Sequence, residues 1–160
     1  MTEHEISLSV NGTDHELAVE PRTLLVTALR EELGYTGANV GCETARCGAC
    51  TVRVDGEAIK SCMRFAVQSD GAEIETVEGL AENGDLAPLQ EQFQENHGLQ
   101  CGFCTPGMLM TADTYLKDAD DPSREEIREA IEGNLCRCTG YHNIVDAIEA
   151  TLEQREASHE

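Results

Sequence analysis

Eight cysteines fall into two sets of four along this 160-residue chain, and none is left over. The first set is Cys42, Cys47, Cys50 and Cys62, with four, two and eleven residues between successive members. The second is Cys101, Cys104, Cys136 and Cys138: a C-x-x-C, a long gap, then a C-x-C. Four thiols converging on one point force the backbone between them to wrap, so each set dictates a local fold. The 38 residues between the sets (63–100) favour two small domains over one large one. Each half would be a marginal core alone. A metal site in each would add stability, because binding to the folded state is folding free energy.

The chain carries 11 basic residues against 31 acidic ones, a net charge of −20. Only Lys60 and Lys117 are lysines. Such a surface repels nucleic acid and anionic membrane, which bind positive charge. It suits an ordinary acidic soluble protein. It suits better a high-salt cytoplasm, where salt screens the self-repulsion, because the acids are spread along the chain. The first residues carry acid where a secretory signal carries base, and no apolar stretch follows. No apolar run approaches the ~20 residues of a membrane span. The expected setting is intracellular, where clustered cysteines bind metal more often than they form disulfides.

Local patterning divides the chain the same way. Ile6, Leu8 and Val10 alternate with polar residues as in a half-buried strand, and Asn11-Gly12 is a hairpin signal leading to Leu17 and Val19. Thr23 is placed to cap a helix running to about Leu33, with Gly34 as its stop. A Gly- and Cys-rich loop spans Gly37 to Cys50. A second hairpin pairs Thr51–Val54 with Glu57–Lys60 across Asp55-Gly56, and Ile74–Val77 suggests one last strand. Together these predict a small ferredoxin-like β-grasp over residues 1–77. Residues 78–85 read as a linker.

Residues 86–160 read as helical. Leu86, Leu89 and Phe93 form one stripe; Thr105-Pro106 reads as a cap and first helical position; Ser123 and Glu126 match a capping box. Ile144, Val145, Ile148 and Leu152 mark a final helix, fraying from Glu153 to Glu160. The predicted class is α+β: a β-grasp followed by a four-helix bundle, with the second cysteine set on loops and helix ends.

The C-x4-C-x2-C…C spacing of the first set is that of plant-type [2Fe–2S] sites. Each iron of such a cluster is tetrahedral, with two sulfides and two thiolates, so four cysteines close the site and leave no position for substrate. Zinc also takes four thiolates, and the C-x-x-C and C-x-C pairs of the second set suit it better than the first set does. His97 and His142 flank the second set, but the thiolates already complete both sites. No phosphate loop, nucleophile–base pair or HExxH motif occurs. No charged residue lies between Leu99 and Met110, and from Gly133 to Val145 the single formal charge is Arg137. These stretches are either buried loops or a surface covered by another protein, to which Phe103, Met108 and Met110 would be suited.

At the motif level the chain resembles the iron–sulfur subunits of the molybdenum hydroxylases, the xanthine dehydrogenase and aldehyde oxidoreductase family. The residues that carry the resemblance are Gly41-Cys42, Cys47-Gly48-Ala49-Cys50-Thr51-Val52, Gln100-Cys101-Gly102-Phe103-Cys104-Thr105-Pro106-Gly107 and Asn134-Leu135-Cys136-Arg137-Cys138-Thr139-Gly140-Tyr141. It extends to about residue 152. Glu20-Pro21-Arg22-Thr23-Leu24-Leu25 and the stretch from Lys60-Ser61-Cys62 to Phe65-Ala66-Val67-Gln68 look most like the small subunit of aerobic carbon monoxide dehydrogenase.

The resemblance implies two [2Fe–2S] clusters, one on each cysteine set. It implies a molybdopterin-bearing large subunit near Cys101, Cys104, Cys136 and Cys138, with Gln100 and Cys138 at the pterin. It also implies an FAD-bearing medium subunit facing the first set, within a dimer of heterotrimers. Electrons would pass from molybdenum through the second set, then the first, to FAD. The substrate would be carbon monoxide, an aldehyde, a purine or another N-heterocycle. The competing readings are a free-standing two-cluster ferredoxin and a zinc-stapled interaction module.

Overall fold

A computed structural model of the chain describes residues 2–81 and 83–157. Strand β1 (His4–Val10) turns at Asn11 and Gly12 into β2 (Thr13–Val19). Both turn residues have positive φ, 50° and 75°, the left-handed pair that a two-residue hairpin requires. The second hairpin, β3 (Thr51–Val54) and β4 (Glu57–Lys60), turns on Asp55 and Gly56 with φ of 51° and 89°. The last strand, β5 (Glu73–Glu75), inserts between the hairpins. The sheet order is β2-β1-β5-β3-β4, with β5 parallel to β1 and antiparallel to β3. This is the predicted β-grasp. Beyond β5 a 3-10 turn begins at Val77, so the strand stops short of where alternation placed its end.

The crossing helix differs from expectation. It is one α-helical turn, α1 (Leu25–Thr27), that passes directly into a π-helical stretch (Ala28–Glu32). Leu33 N–H reaches back to Ala28 O and Tyr35 N–H to Leu29 O, the wider bonding of a π turn. Thr23 caps nothing: its carbonyl accepts from Ala66 N–H, and Leu24 holds the cap position. The helix entrance is therefore set by the segment that follows Cys62. Leu25, Val26, Ala28 and Leu29 are buried on the sheet with Ile6, Leu8, Val10, Val52 and Ile74.

A second core joins α2 (Pro88–Glu95), α3 (Thr105–Asp118), α4 (Arg124–Ile131) and α5 (His142–Ala157). Leu89, Phe93, Met108, Leu109, Ile127, Ile131, Ile144 and Ile148 fill it, and Val77 and Leu80 pack against it. Leu86 is 45% exposed and lies outside the predicted stripe. The stretch 78–85 read as a linker includes Glu82, which lies outside the described residues. The capping box forms as predicted: Ser123 N–H donates to Glu126 Oε2 at 2.8 Å, and Glu126 N–H to Ser123 Oγ. Helix α5 holds its last turns to Ala157 rather than fraying at Glu153, because Thr151 is buried and Arg155 donates to the Leu116 carbonyl at 2.9 Å. Residues 158–160 of the predicted fray lie outside the described residues. Among the described residues no helix is long and apolar enough to cross a membrane.

Helix α3 joins the two units by packing on β3 as well as on α4. Arg53 of β3, buried to 1% exposure, reaches out of the sheet to Asp113 and Thr114 of α3 and to Glu75 of β5. Gly107 makes close approach possible: a Cβ there would lie 2.2 Å from the Gly48 carbonyl oxygen.

Candidate metal centres

The loop before β3 carries three of the first four cysteines. Glu43 and Ala45 both have positive φ, and this curls the loop around the Cys42 sulfur. Thr44 N–H and Cys47 N–H donate to Cys42 Sγ at 3.4 and 3.3 Å. The Thr44 hydroxyl, with these amides, pulls the Cys42 thiol down to about 6. Cys50 enters β3, and Cys62 lies in the 3-10 turn after β4 (Ser61–Met63). Ser61 binds the Cys50 carbonyl twice, through its amide at 3.2 Å and its hydroxyl at 2.7 Å. Burial, aided by the adjacent Cys62 thiol, pushes Cys50 up to about 11.

The second four come from two loops. Cys101 and Cys104 precede α3, with Cys104 at its cap position and Thr105 one residue further in than predicted. Cys136 and Cys138 lie between α4 and α5. Tyr141 clamps that loop: its hydroxyl accepts from Cys136 N–H at 2.8 Å and donates to the Asn134 carbonyl. Burial, then the neighbouring Cys136 thiol, pushes Cys104 up to about 12. Burial acts on Cys136 as well, but the hydroxyl and amide of Thr139 outweigh it and lower that thiol. Thr139 Oγ1 lies 3.2 Å from Cys136 Sγ. Gln100 Nε2 donates to the Cys138 carbonyl at 3.1 Å, so the two residues expected at the pterin are neighbours on an exposed edge.

All eight thiols are free of disulfides. Cys50, Cys62 and Cys136 are buried, Cys42, Cys47 and Cys104 are half-buried, and Cys101 and Cys138 are exposed. Five of them, Cys42, Cys47, Cys101, Cys104 and Cys138, line one cleft of about 440 Å³, so both sites open towards the same space. Gly41 keeps that wall thin, since a Cβ there would sit 2.9 Å from Cys47 Sγ. Each iron of a two-iron cluster takes two thiolates, and Cys50 with Cys62 and Cys104 with Cys136 are such neighbours. The donor set fits [2Fe–2S] in a second respect. Thr105 Oγ1 is buried beside Cys104 without a hydrogen-bond partner, an orphan that a sulfur acceptor would satisfy.

Two contacts tie the centres together, and neither was foreseen from sequence. Leu135 N–H donates to the Cys47 carbonyl at 2.8 Å. Asn134, buried to 1% exposure, donates to the Gly48 carbonyl at 3.0 Å. Gly48 has φ of +73°, and a Cβ there would lie 2.5 Å from the Gly133 oxygen. Of the uncharged stretches, Met108 and Met110 are core residues, whereas Leu99, Phe103 and Leu135 are 39%, 49% and 60% exposed. These stretches are thus part core and part exposed surface. The His97 carbonyl accepts from Asn143, and His142 faces Asp146.

Residues 8–81 match the family described as "2Fe-2S iron-sulfur cluster binding domain", and residues 76–149 match "[2Fe-2S] binding domain". The caffeine dehydrogenase subunit gamma of Pseudomonas sp. (strain CBB1) is 56% identical over 159 residues, covering 98% of this chain and 95% of that protein. The nicotine 6-hydroxylase small subunit of Paenarthrobacter nicotinovorans is 50% identical, covering 90% and 87%. Among solved structures, quinoline 2-oxidoreductase from Pseudomonas putida 86 superposes with a TM-score of 0.93 at 48% identity over 98% of both chains. Aldehyde oxidoreductase from Desulfovibrio gigas superposes at 0.91 with 39% identity, covering 97% of this chain and 17% of that one.

Proposed function

The chain belongs to the two-[2Fe–2S] small subunits of the molybdenum hydroxylase family, and we propose that its eight cysteines form one conduit for single electrons between two partner subunits. Cys101, Cys104, Cys136 and Cys138 hold one cluster, with Gln100 and Cys138 turned to the molybdopterin of a large subunit. Cys42, Cys47, Cys50 and Cys62 hold the other, facing an FAD-bearing medium subunit. The bound clusters supply reversible one-electron uptake and release.

The observation that supports this reading best is the hydrogen bond from Leu135 to Cys47. Leu135 is the peptide neighbour of Cys136, so one hydrogen bond connects the backbone of Cys47 to the residue beside Cys136. The exposed Phe103 and Leu135 at the shared cleft offer a partner an apolar contact beside both cysteine sets.

The substrate proposed for the assembled enzyme is a nitrogen heterocycle. Caffeine, nicotine and quinoline stand in the names of relatives that cover nearly the whole chain, and carbon monoxide stands in none of these names. The acidic coat is read as suiting a high-salt cytoplasm.

Purification of the native complex tests all of this. About four iron and four acid-labile sulfide per chain are expected, with two distinct [2Fe–2S] signals by electron paramagnetic resonance. Large and medium subunits should co-purify, and a nitrogen heterocycle should bleach the visible spectrum under anaerobic conditions. Zinc without sulfide would overturn the cluster reading. A monomeric pool with no partner would overturn the subunit reading in favour of a free ferredoxin. Bleaching by carbon monoxide but not by heterocycles would overturn the substrate alone.

A further inference from the structure

Lys60 ends β4, two residues before Cys62, and is half-buried at the seam between the two units. Its ammonium donates to Thr51 Oγ1 at 2.9 Å and to Asn134 Oδ1 at 3.4 Å. Both acceptors are neutral, and both side chains donate to one carbonyl, that of Gly48 between Cys47 and Cys50. Among the described residues no carboxylate pairs with Lys60, although the chain has 31 acidic side chains against 11 basic ones. Buried Arg53, by contrast, has Glu75 and Asp113. An ammonium drawn half out of water needs negative charge nearby. Its hydrogen bonds place it instead on the first cysteine loop, at Thr51, the peptide neighbour of Cys50, and beside Asn134, which holds the Gly48 carbonyl between Cys47 and Cys50.

A four-thiolate [2Fe–2S] site is anionic and gains a further negative charge on reduction, and net charge is one of the determinants of its potential. We propose that Lys60 is the internal counter-charge of the first site and holds its potential above the value the thiolates alone would set. This rests on the ligand assignment given above. The fixed positive charge favours the reduced form, so electrons arriving from the second site come to rest on the first. Thr51 and Asn134 aim the ammonium, and Asn134 does so from the second site's own loop.

The test is a redox titration of the full chain, loaded with both clusters and followed by electron paramagnetic resonance. The two signals are assigned beforehand through the ligand variants C62S and C104S. K60Q and K60M should each lower the reduction equilibrium constant of the first cluster about tenfold, a fall of about 59 mV for one electron, and move the second cluster less. K60R should restore the wild-type potential. T51V removes one of the two hydrogen bonds that aim the ammonium but keeps the charge, and should lower the potential by less than K60Q does.

Neutral variants that load both clusters with the first potential unchanged would overturn the proposal. So would equal shifts of both clusters, or a T51V shift as large as that of K60Q. Failure of both neutral variants to load, where K60R loads, would place Lys60 in assembly and likewise overturn it. Wild-type protein without iron and sulfide would sink the ligand assignment itself.

Discussion

The amide of Leu135 donates to the carbonyl of Cys47 across the seam between the sheet and the helices, at 2.8 Å. This bond joins the second cysteine loop to the first, and its geometry depends on two glycines. At Gly48 a side chain would strike the Gly133 oxygen, and at Gly107 it would strike the Gly48 oxygen. The separation of the two metal centres is thus set by backbone against backbone, with almost no side-chain slack.

Gly107→Ala tests that closeness. Alanine in a helix is favoured over glycine by about 1 kcal/mol. Here its Cβ would lie 2.2 Å from one backbone oxygen and 3.0 Å from another, Ala49 O, neither of which can swing aside. Overpacking of this kind costs about 1–3 kcal/mol, so the clash outweighs the propensity. Chemical denaturation should show a net loss, and flash reduction of the loaded protein should show slower exchange between the clusters. A stabilised variant with unchanged exchange would mean that α3 is free to shift.

Arg53 carries the other cross-seam tie. Its guanidinium is 1% exposed and meets Glu75 at 2.5 Å as well as Asp113. Arg53→Met strips Asp113 and Glu75 of the buried guanidinium and leaves Glu75 only Lys117, at 3.9 Å. The carboxylates left behind, Glu75 and Asp113, are 35% and 17% exposed, so water takes up part of the lost pairing and the cost is about 1–3 kcal/mol. Urea unfolding is expected to give that loss, and Asp113→Asn in the Met background should recover part of it. A loss under about 1 kcal/mol would show that α3 is held on the sheet by apolar packing alone.

Thiol reactivity in the metal-free chain should be strongly unequal. Cys42, held down to about 6 by Thr44 and the amides around it, should alkylate with a half-maximal rate near that pH. Cys50 and Cys104, pushed up to about 11 and 12 by burial, should stay inert until strongly alkaline solution. A thiol whose folded value is depressed adds stability that is complete above its unfolded value, and that stability is lost as pH falls through about 6. For the two raised thiols the sign reverses: stability is present below the unfolded value and disappears as pH climbs towards 11 and 12. Mass-spectrometric mapping of alkylation against pH checks the order, and equal rates at all three would contradict the loop geometry.

The net charge of −20 makes stability depend on salt. Between 0.1 M and 1 M the screening length shrinks from about 10 Å to about 3 Å, and repulsion among surface carboxylates shrinks with it. The thermal midpoint should therefore rise with added KCl. A flat or falling midpoint would show that local pairs, such as Arg124 with Asp146 and Glu149, already neutralise the surface.

Wherever a few adjacent residues decide the outcome, the sequence alone determined this protein. Asn11-Gly12 and Asp55-Gly56 take left-handed dihedrals at little cost, so both hairpins follow from those pairs. Ser123 and Glu126 satisfy each other's orphan groups within one helical turn. The thiol spacing divides the eight cysteines into two sets of four. The tertiary structure decided what distant residues do to one another. The π stretch at Ala28–Glu32 follows an entrance that Arg64 and Ala66 hold by hydrogen bonds, so Thr23 has no cap to make. The Thr105 hydroxyl, a cap by local rules, is buried without a hydrogen-bond partner. Leu135 against Cys47, Arg53 against Asp113 and Lys60 against Asn134 join partners 60 or more residues apart. No local propensity encodes such pairs. They arise when two hydrophobic cores close on a shared helix, and that closure brings two separate cysteine sets to one cleft.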